Sequence, residues 1–569
     1  MAMKKDRFNW KILLCCGFFI WFLINLLQGI FTEIHEDEAY YALYGEHLAW
    51  GYFDHPPMVG LMTYLSNLFF HGILGVRWMT ILFSTLSLGV LWKLVAPEHQ
   101  DSQKVVLFFA LACSVTMLNV YGFVTTPDSA LILFSALFLW VYKGYLDHPS
   151  WSRALCMGLL MACMVYSKYH ALLLLGLIVL SNLKLLKDGR FYVACVLAAL
   201  LLVPHLLWQV KAGFPSLSYH LVQRSEDFRW AYCLEYVPNQ LLVFNPLLFG
   251  AMVYVLVKYR ADNLFERGLR FIFVGFFFFF WLMAFRGHVE PHWTIAAAIP
   301  LLILVYRKCE IDQKLNKYIK IVAIPSLVLM LVMRMAMVTP LSKSFGFYGK
   351  EPYYKALEAV VGDCPVAFQG SFQKPALYHY FTEGKPSSPL RSYYDRKTQF
   401  DIWQFDQQWL GQRVFVVSSE SNLTETYHVG DLEVRGFFAE CFQTAHRLDI
   451  DFDIVSFQGQ SSPPSICPGD TIRMDFSIYN PSNYTIDFQQ NQLRMSLCLL
   501  FMDTGEGCYC YHEKIGVILP HETYWGHLAA VIPTLKRTGK NRLALCVSDH
   551  IATCITAENA QEIVVLEHR

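Results

Sequence analysis

The chain has 569 residues, of which 55% are hydrophobic and 16% aromatic, and its mean hydropathy is positive at +0.33. That is too apolar for an ordinary soluble multidomain protein. Its 46 Lys and Arg balance its 46 Asp and Glu, so there is neither a global basic field for nucleic acid nor an acidic tail, and any electrostatics must be local.

Each helix crossing a bilayer needs about 20 apolar residues, because every backbone amide must be satisfied internally. Windows of that character lie near 12–31, 73–95, 104–122, 128–146, 154–166, 169–186, 191–209, 240–257, 270–286, 293–306 and 320–338, which predicts about 11 transmembrane helices in a module over 1–340. Lys4, Lys5, Arg7 and Lys11 precede the first window, and later basic clusters such as Lys184, Lys187 and Arg190 recur in every second loop. By the excess of positive charge in cytoplasmic loops, the amino terminus is expected inside and the segment after residue 31 outside, with everything after about 339 also outside. The first apolar run is long and no small-residue cleavage site follows it, so it is expected to stay as an anchor.

The first outward loop, TEIHEDEAYYALYGEHLAWGYFDHPPMVG, collects Glu33, Glu36, Asp37 and Glu38, then Asp54 and His55 before two prolines. The spacing of Tyr40, Leu43, Tyr44 and Leu48 predicts an amphipathic interfacial helix that fixes Asp37 at its amino-terminal end. Gly51, Pro56 and Pro57 stop that helix and hold Asp54 and His55 at a second corner. Further polar groups gather at the outward ends. Arg77 heads the second span and Asp128 sits in TTPDS, where it would equally serve as the cap of the fourth span. Lys168 and Tyr169 interrupt an apolar stretch, and the later loops carry His220 and Arg224, then RGHVEPH with His288 and His292. Ionisable groups at membrane depth are costly, and their default reading is a functional site.

From 353 the pattern changes. YYKALEAVVG and PALYHYFTEG read as helices, CPVAFQG and RVFVVSS as strands, predicting a small exported α/β domain over 341–450. Beyond it TIRMDFSIYN puts Ile472, Met474, Phe476 and Ile478 on one face, and LRMSLCLLF and RLALCVSD alternate likewise, predicting an exported β-sandwich over 451–569. Eight of the 16 cysteines fall in this tail, where disulfides can persist, but their pairing is not readable.

Outward carboxylates that can take a proton from a hydroxyl, together with cations that can stabilise a departing phosphate, fit glycosyl transfer from a polyprenyl-phosphate-linked sugar. A sugar nucleotide is the wrong donor, since the site faces away from the cytoplasm and the membrane module over 1–340 has no Gly-rich loop or Asp-x-Asp motif. The alternative is a transporter or flippase for a lipid-linked glycan, which would spread ionisable groups through the midplane of paired repeats. Here they crowd at the outer ends.

DEAYY from Asp37, GYFDHPP from Gly51, LGVR ending at Arg77, TPD ending at Asp128, SKY from Ser167 and PHLLW from Pro204 follow one another as in the GT-C fold glycosyltransferases. Over about residues 30–305 the chain resembles the bacterial branch of the dolichyl-phosphate-mannose protein mannosyltransferase family, which includes the aminoarabinose transferases acting on lipid A. The resemblance implies an inverting enzyme of the bacterial inner membrane, with a polyprenyl-phosphate-sugar donor and a lipid A, glycan or protein acceptor. It makes Asp37 the catalytic base or acceptor guide, Glu38, its neighbour in the Asp-Glu pair, catalytic with it, and Asp128 a second catalytic carboxylate at the active site. It sets Arg77, Lys168 with Tyr169, and Arg224 beside the donor phosphate. His55 and His288 stand at substrate positions where the relatives carry Lys. Asp54, and His220 with some slip in register, match metal positions, so a divalent ion (Mg, Mn, Ca or Zn) is an admissible cofactor. The sandwich matches no part of the pattern.

Overall fold

The computed structural model describes residues 9–96, 100–218, 228–392, 395–419, 423–440, 442–444, 450–458, 463–489, 495–503, 509–511, 515–535, 537–549, 551, 553–555 and 560–566. The chain divides into two compact units, Met1–Lys350 and Glu351–Arg569.

The first unit is helical: α1 Trp10–Phe31, α2 Glu36–Glu46, α3 Met58–Asn67, α4 Gly72–Val95, α5 Ser102–Ala112, α6 Thr116–Val120, α7 Pro127–Asp147, α8 Trp151–Ser167, α9 His170–Ser181, α10 Gly189–Lys211, α11 Pro215–Ser218, α12 Trp230–Phe244, α13 Pro246–Lys258, α14 Leu264–Met283, α15 Ala298–Ile311 and α16 Gln313–Met337. A helix occupies each of the eleven apolar windows. Among the described residues, however, only α1, α4, α7, α10 and α16 are by themselves long and apolar enough to cross a membrane. The pair α12 and α13 makes a sixth if counted as one span, bent by 104°. Pro246 opens α13 and Asn245 precedes it with φ of +83°, where its Oδ1 accepts from the Leu247 amide and its Nδ2 donates to the Ser114 carbonyl. The 104–122 window breaks into α5 and α6, and α8 stops at Lys168, whose extended backbone (φ −161°) separates it from α9. The five long apolar helices identify a multi-pass membrane protein.

Lipid-facing and protein-facing apolar surfaces differ sharply between helices. In α1 only Trp21, Asn25 and Gly29 are buried, whereas every residue of α15 from Ala298 to Tyr306 is. The predicted interfacial helix exists as α2, followed by α3, but α2 is no surface rod. Tyr40, Tyr41, Leu43 and Tyr44 are all buried, and the helix ends at Glu46, leaving Leu48 beyond it and exposed.

In the second unit a five-stranded sheet has the order β2-β1-β3-β5-β4, formed by β1 Val366–Gln369, β2 Ser387–Leu390, β3 Val414–Val417, β4 Glu425–Val429 and β5 Leu432–Ala439. Strands β1, β2 and β3 run parallel, with β5 antiparallel to β3. Helices α17 Glu351–Val361 and α18 Gln373–Phe381 accompany this sheet, as the sequence predicts. After it come β6 Asp451–Phe457, β7 Ser465–Ile466, β8 Thr471–Tyr479, β9 Ile486–Asp487, β10 Ser496–Phe501, β11 Tyr509–Tyr511, β12 Val517–Ile518, β13 Thr523–Val531, β14 Gly539–Ser548, β15 Thr553–Ile555 and β16 Gln561–Val565. They form a β-sandwich, with sheet β13-β8-β6 on one side and β11-β10-β14-β16-β7 on the other. Ile472, Met474, Phe476 and Ile478 point inward to meet Leu497, Leu499, Leu543 and Leu545, the expected alternation. Cys498 on β10 is disulfide-bonded to Cys510 on β11.

Candidate active site

The site starts at the first turn of α2. His35 is the N-cap, its Nδ1 accepting from the Asp37 amide at 3.3 Å, and Glu38 reaches back to the His35 amide at 3.0 Å, completing a capping box. Glu38 carries more than the cap. Its Oε1 accepts from Arg77 Nε and from the Thr125 amide, both at 2.8 Å, and its Oε2 accepts from Arg77 Nη2 at 2.5 Å. Arg77, fully buried in α4, gives its remaining N–H groups to the carbonyls of Gly29 (2.9 Å), Thr32 (2.7 Å) and Glu33 (3.2 Å). Burial alone would raise the Glu38 carboxyl, but the charge and hydrogen bonds of Arg77, with the amides of Thr125 and His35, outweigh it and hold the group below the usual carboxylate range.

This knot corrects two expectations. All five guanidinium donors are engaged, so Arg77 has none left for a phosphate. Glu38 meets four donors in a closed interior, so it is no proton acceptor for an outside hydroxyl. Together they tie the end of α1, the start of α2, α4 and the loop before α7.

Asp37 lies about 100° further round the same helix and its side chain is 46% exposed, against 0% for Glu38. One turn on, Tyr41 Oη lies 3.1 Å from His55 Nε2, while Tyr44 Oη donates to Asp54 Oδ1 at 2.7 Å. Tyr52 stacks on Tyr44 with ring centroids 3.8 Å apart and donates to the Tyr44 carbonyl, which straps the Gly51–Pro57 turn to α2. Burial pushes the Tyr41 hydroxyl well above its ordinary range, and the charges of Asp37, Asp54 and Asp128 push it the same way. Three predicted carboxylates thus share one neighbourhood around one tyrosine.

Asp128 is the second residue of α7, behind Pro127 at the first position, where proline needs no amide partner. Thr126 is the N-cap residue, so Asp128 is not the cap. It is 2% exposed; Lys168 Nζ donates to its Oδ2 at 2.6 Å, and its Oδ1 has no hydrogen-bond partner. The break between α8 and α9 delivers Lys168 to that position. His292 Nε2 lies 4.0 Å from Asp128 Oδ2. Tyr169 faces elsewhere: its Oη is 3.0 Å from His205 Nε2 and accepts from Gln209, while His205 Nδ1 lies 2.6 Å from the Trp50 carbonyl. Tyr169 and the PHLLW histidine therefore brace the Gly51 turn against α10. His288 Nε2 lies 3.9 Å from Glu290 Oε2, and its ring is edge-on to Tyr232. Arg224 and His220 lie outside the described residues.

Among the described residues, no three His, Cys, Asp or Glu side chains are grouped to hold a metal ion. Asp54, already hydrogen-bonded to Tyr44, does not make a metal site with the residues described. The sequence pattern pointed to neither His292, Tyr41 nor Thr125 as part of this cluster; of the two histidines in RGHVEPH the resemblance singled out His288, whereas His292 is the one beside Asp128.

Residues 54–208 match the family model "Dolichyl-phosphate-mannose-protein mannosyltransferase". The chain is 24% identical over 314 residues to the lipid A galacturonosyltransferase RgtD of Rhizobium johnstonii, a match covering 52% of this chain and 64% of that one. ArnT from Cupriavidus metallidurans superposes in its apo state and in its undecaprenyl-phosphate-bound state, each with a TM-score of 0.56 at 14% identity, covering 75% of this chain and 97% of ArnT. This is the GT-C fold. Within the GT-C fold of this chain, the stretch that matches the family model runs from Asp54 through Arg77, Asp128 and Lys168 to Trp208, so it contains the knot's arginine and the buried Asp128–Lys168 pair. The chain spans just under two thirds of the length of its relative RgtD.

Proposed function

We propose that this protein transfers a sugar from a polyprenyl-phosphate-linked donor to a lipid acceptor of the lipid A kind, at the membrane face where α2 and α3 lie. The reading is carried by the buried Asp128 with Lys168 against it, together with the exposed Asp37 on the helix whose Tyr41 and Tyr44 hold His55 and Asp54. A fold shared with an undecaprenyl-phosphate-bound protein and a sequence relative named for lipid A modification support it. In the step proposed, an acceptor hydroxyl oxygen attacks the anomeric carbon, its proton passes to Asp37, and the bond from that carbon to the phosphate oxygen breaks with inversion. Asp37 is suited to the base role because its carboxylate is reachable while its backbone is fixed by the His35 cap. One of the three N–H donors of Lys168 is held by Asp128, which aims the ammonium and leaves two for the departing phosphate.

The test is purified protein in nanodiscs with radiolabelled undecaprenyl-phosphate sugar and lipid A. Labelled lipid A and free undecaprenyl phosphate are the expected products, and Asp37→Asn should slow their formation by about 10² or more with unchanged thermal stability. Transfer by Asp37→Asn at the wild-type rate would remove Asp37 from the base role. Absence of labelled lipid A with every polyprenyl-phosphate sugar tried would remove the reading itself.

A further inference from the structure

The outer face of sheet β13-β8-β6 carries an unusual set of side chains. On β13 alternate residues point away from the sandwich core, and Trp525 among them is 68% exposed. Its cross-strand partner on β8 is the small Ser477, whose own partner on β6 is Asp453, so no bulky neighbour stands directly opposite the indole. Two residues along, His527 pairs with Asp475. That carboxylate is fixed in place: Ser456 donates to Oδ2 at 2.7 Å, Gln458 donates to Oδ1 at 2.6 Å, and His527 Nδ1 contacts Oδ1. The hydrogen bonds of Ser456, His527 and Gln458 hold its carboxyl below the usual range, so it is an anion. Between Trp525 and His527, Gly526 packs against the ring of Phe476 in the core, leaving a Cβ no room there.

A large exposed indole beside an oriented hydrogen-bond acceptor has the two elements that pyranose recognition requires. Sugars present an apolar C–H face, which an aromatic ring covers, and an equatorial rim of hydroxyls that fixed polar groups satisfy. A protein-docking surface would be expected to surround such an anchor with apolar contacts, whereas the neighbours here are Ser477 opposite, Asp475 and Tyr479 diagonally, and Thr523 and His527 on the same strand. The outward charges also select. Asp451, Asp453 and Asp475 face Arg473 alone among full charges, which disfavours phosphorylated or acidic saccharides.

We propose that this face is a saccharide-binding platform on which Trp525 stacks against the C–H face of a neutral or amino pyranose while Asp475 Oδ2, which already accepts from Ser456, accepts one of its hydroxyl hydrogen bonds. The site does not depend on the transferase reading. It would hold a glycan independently of the reaction in the membrane unit.

The full chain in nanodiscs, free of sugar-headed detergent, is tested by saturation-transfer NMR with N,N′-diacetylchitobiose, cellobiose and digalacturonate. Transfer to the ring protons of chitobiose or cellobiose is expected, falling about tenfold in Trp525→Ala and clearly in Asp475→Asn, with digalacturonate weakest. Trp525 is exposed, so its variant should melt with the wild type. The proposal is overturned if none of the three sugars receives saturation, if Trp525→Ala gives the wild-type signal, if digalacturonate gives the strongest one, or if Trp525→Ala instead dissociates a dimer.

Discussion

Replacing Glu38 by Gln separates a structural role from a catalytic one. The amide would present N–H groups where one carboxylate oxygen now accepts from Arg77 Nη2 and the His35 amide, and it would leave the Arg77 cation buried without a counter-charge. Breaking a buried ion pair by removing one partner costs about 3–5 kcal/mol. Many such pairs can be exchanged whole for apolar residues at little cost, but not this one. The double variant Glu38→Met/Arg77→Met would strand the Thr125 and His35 amides and the Gly29, Thr32 and Glu33 carbonyls, five groups at roughly 1–3 kcal/mol each where they stay dry. The assay is the apparent melting temperature of purified protein read beside sugar transfer. Glu38→Gln should melt well below the wild type, the double variant no higher than the single, and Asp37→Asn with the wild type. A Glu38→Gln protein that melts normally yet transfers no sugar would refute this assignment and return Glu38 to the chemistry. The folded carboxyl titrates below its ordinary value of 4.5, so the stability it contributes is present above that pH and lost as pH falls through the lowered value.

Three other outcomes follow from the geometry. Lys168→Met should lower transfer by about 10² or more by removing the cation proposed for the leaving phosphate, and Asp128→Asn should lower it by freeing that cation's position; single-turnover rates check both. Burial lowers the folded His35 pKa, with Glu38 and Glu36 opposing and Lys350 and Arg77 adding to it. Its cap on Asp37 is therefore present above the ordinary value of 6.5 and lost as pH falls through the lowered one. Hydrogen exchange at the start of α2 should accelerate over that interval, and His35→Asn should remove the acceleration. Gly51→Ala would set a Cβ 2.5 Å from Trp208 Cε3 and 2.8 Å from His205 Nδ1, so it should displace the turn and lower the melting temperature. Unchanged melting would mean that the Trp50–His205–Tyr169 chain is not a brace.

Much of this architecture was legible because period and composition report it directly. The alternation of Ile472, Met474, Phe476 and Ile478 can describe little besides a half-buried strand, and Pro56 with Pro57 had to end a helix. Hydropathy could not separate α15 from α1, since both are apolar and only packing decides whether an apolar helix meets lipid or protein. Nor does residue type reveal saturation. Asp37 and Glu38 are neighbours of like chemistry, yet the helix turns one toward an arginine 39 positions away and the other outward. Arg77 read as a phosphate ligand because a sequence displays its charge and hides the three carbonyls that occupy it.

α15 has 14 residues, about 21 Å of helix, against a hydrocarbon layer of roughly 30 Å. With Ala298 to Tyr306 enclosed by other helices, it has little surface to offer lipid. Such a segment is a poor candidate for leaving the translocon and resting in the bilayer alone. It should be held in a protected setting beside α13 and α14, which precede it, until α16 arrives to complete its surround, which makes biogenesis of this bundle a concerted event near its end.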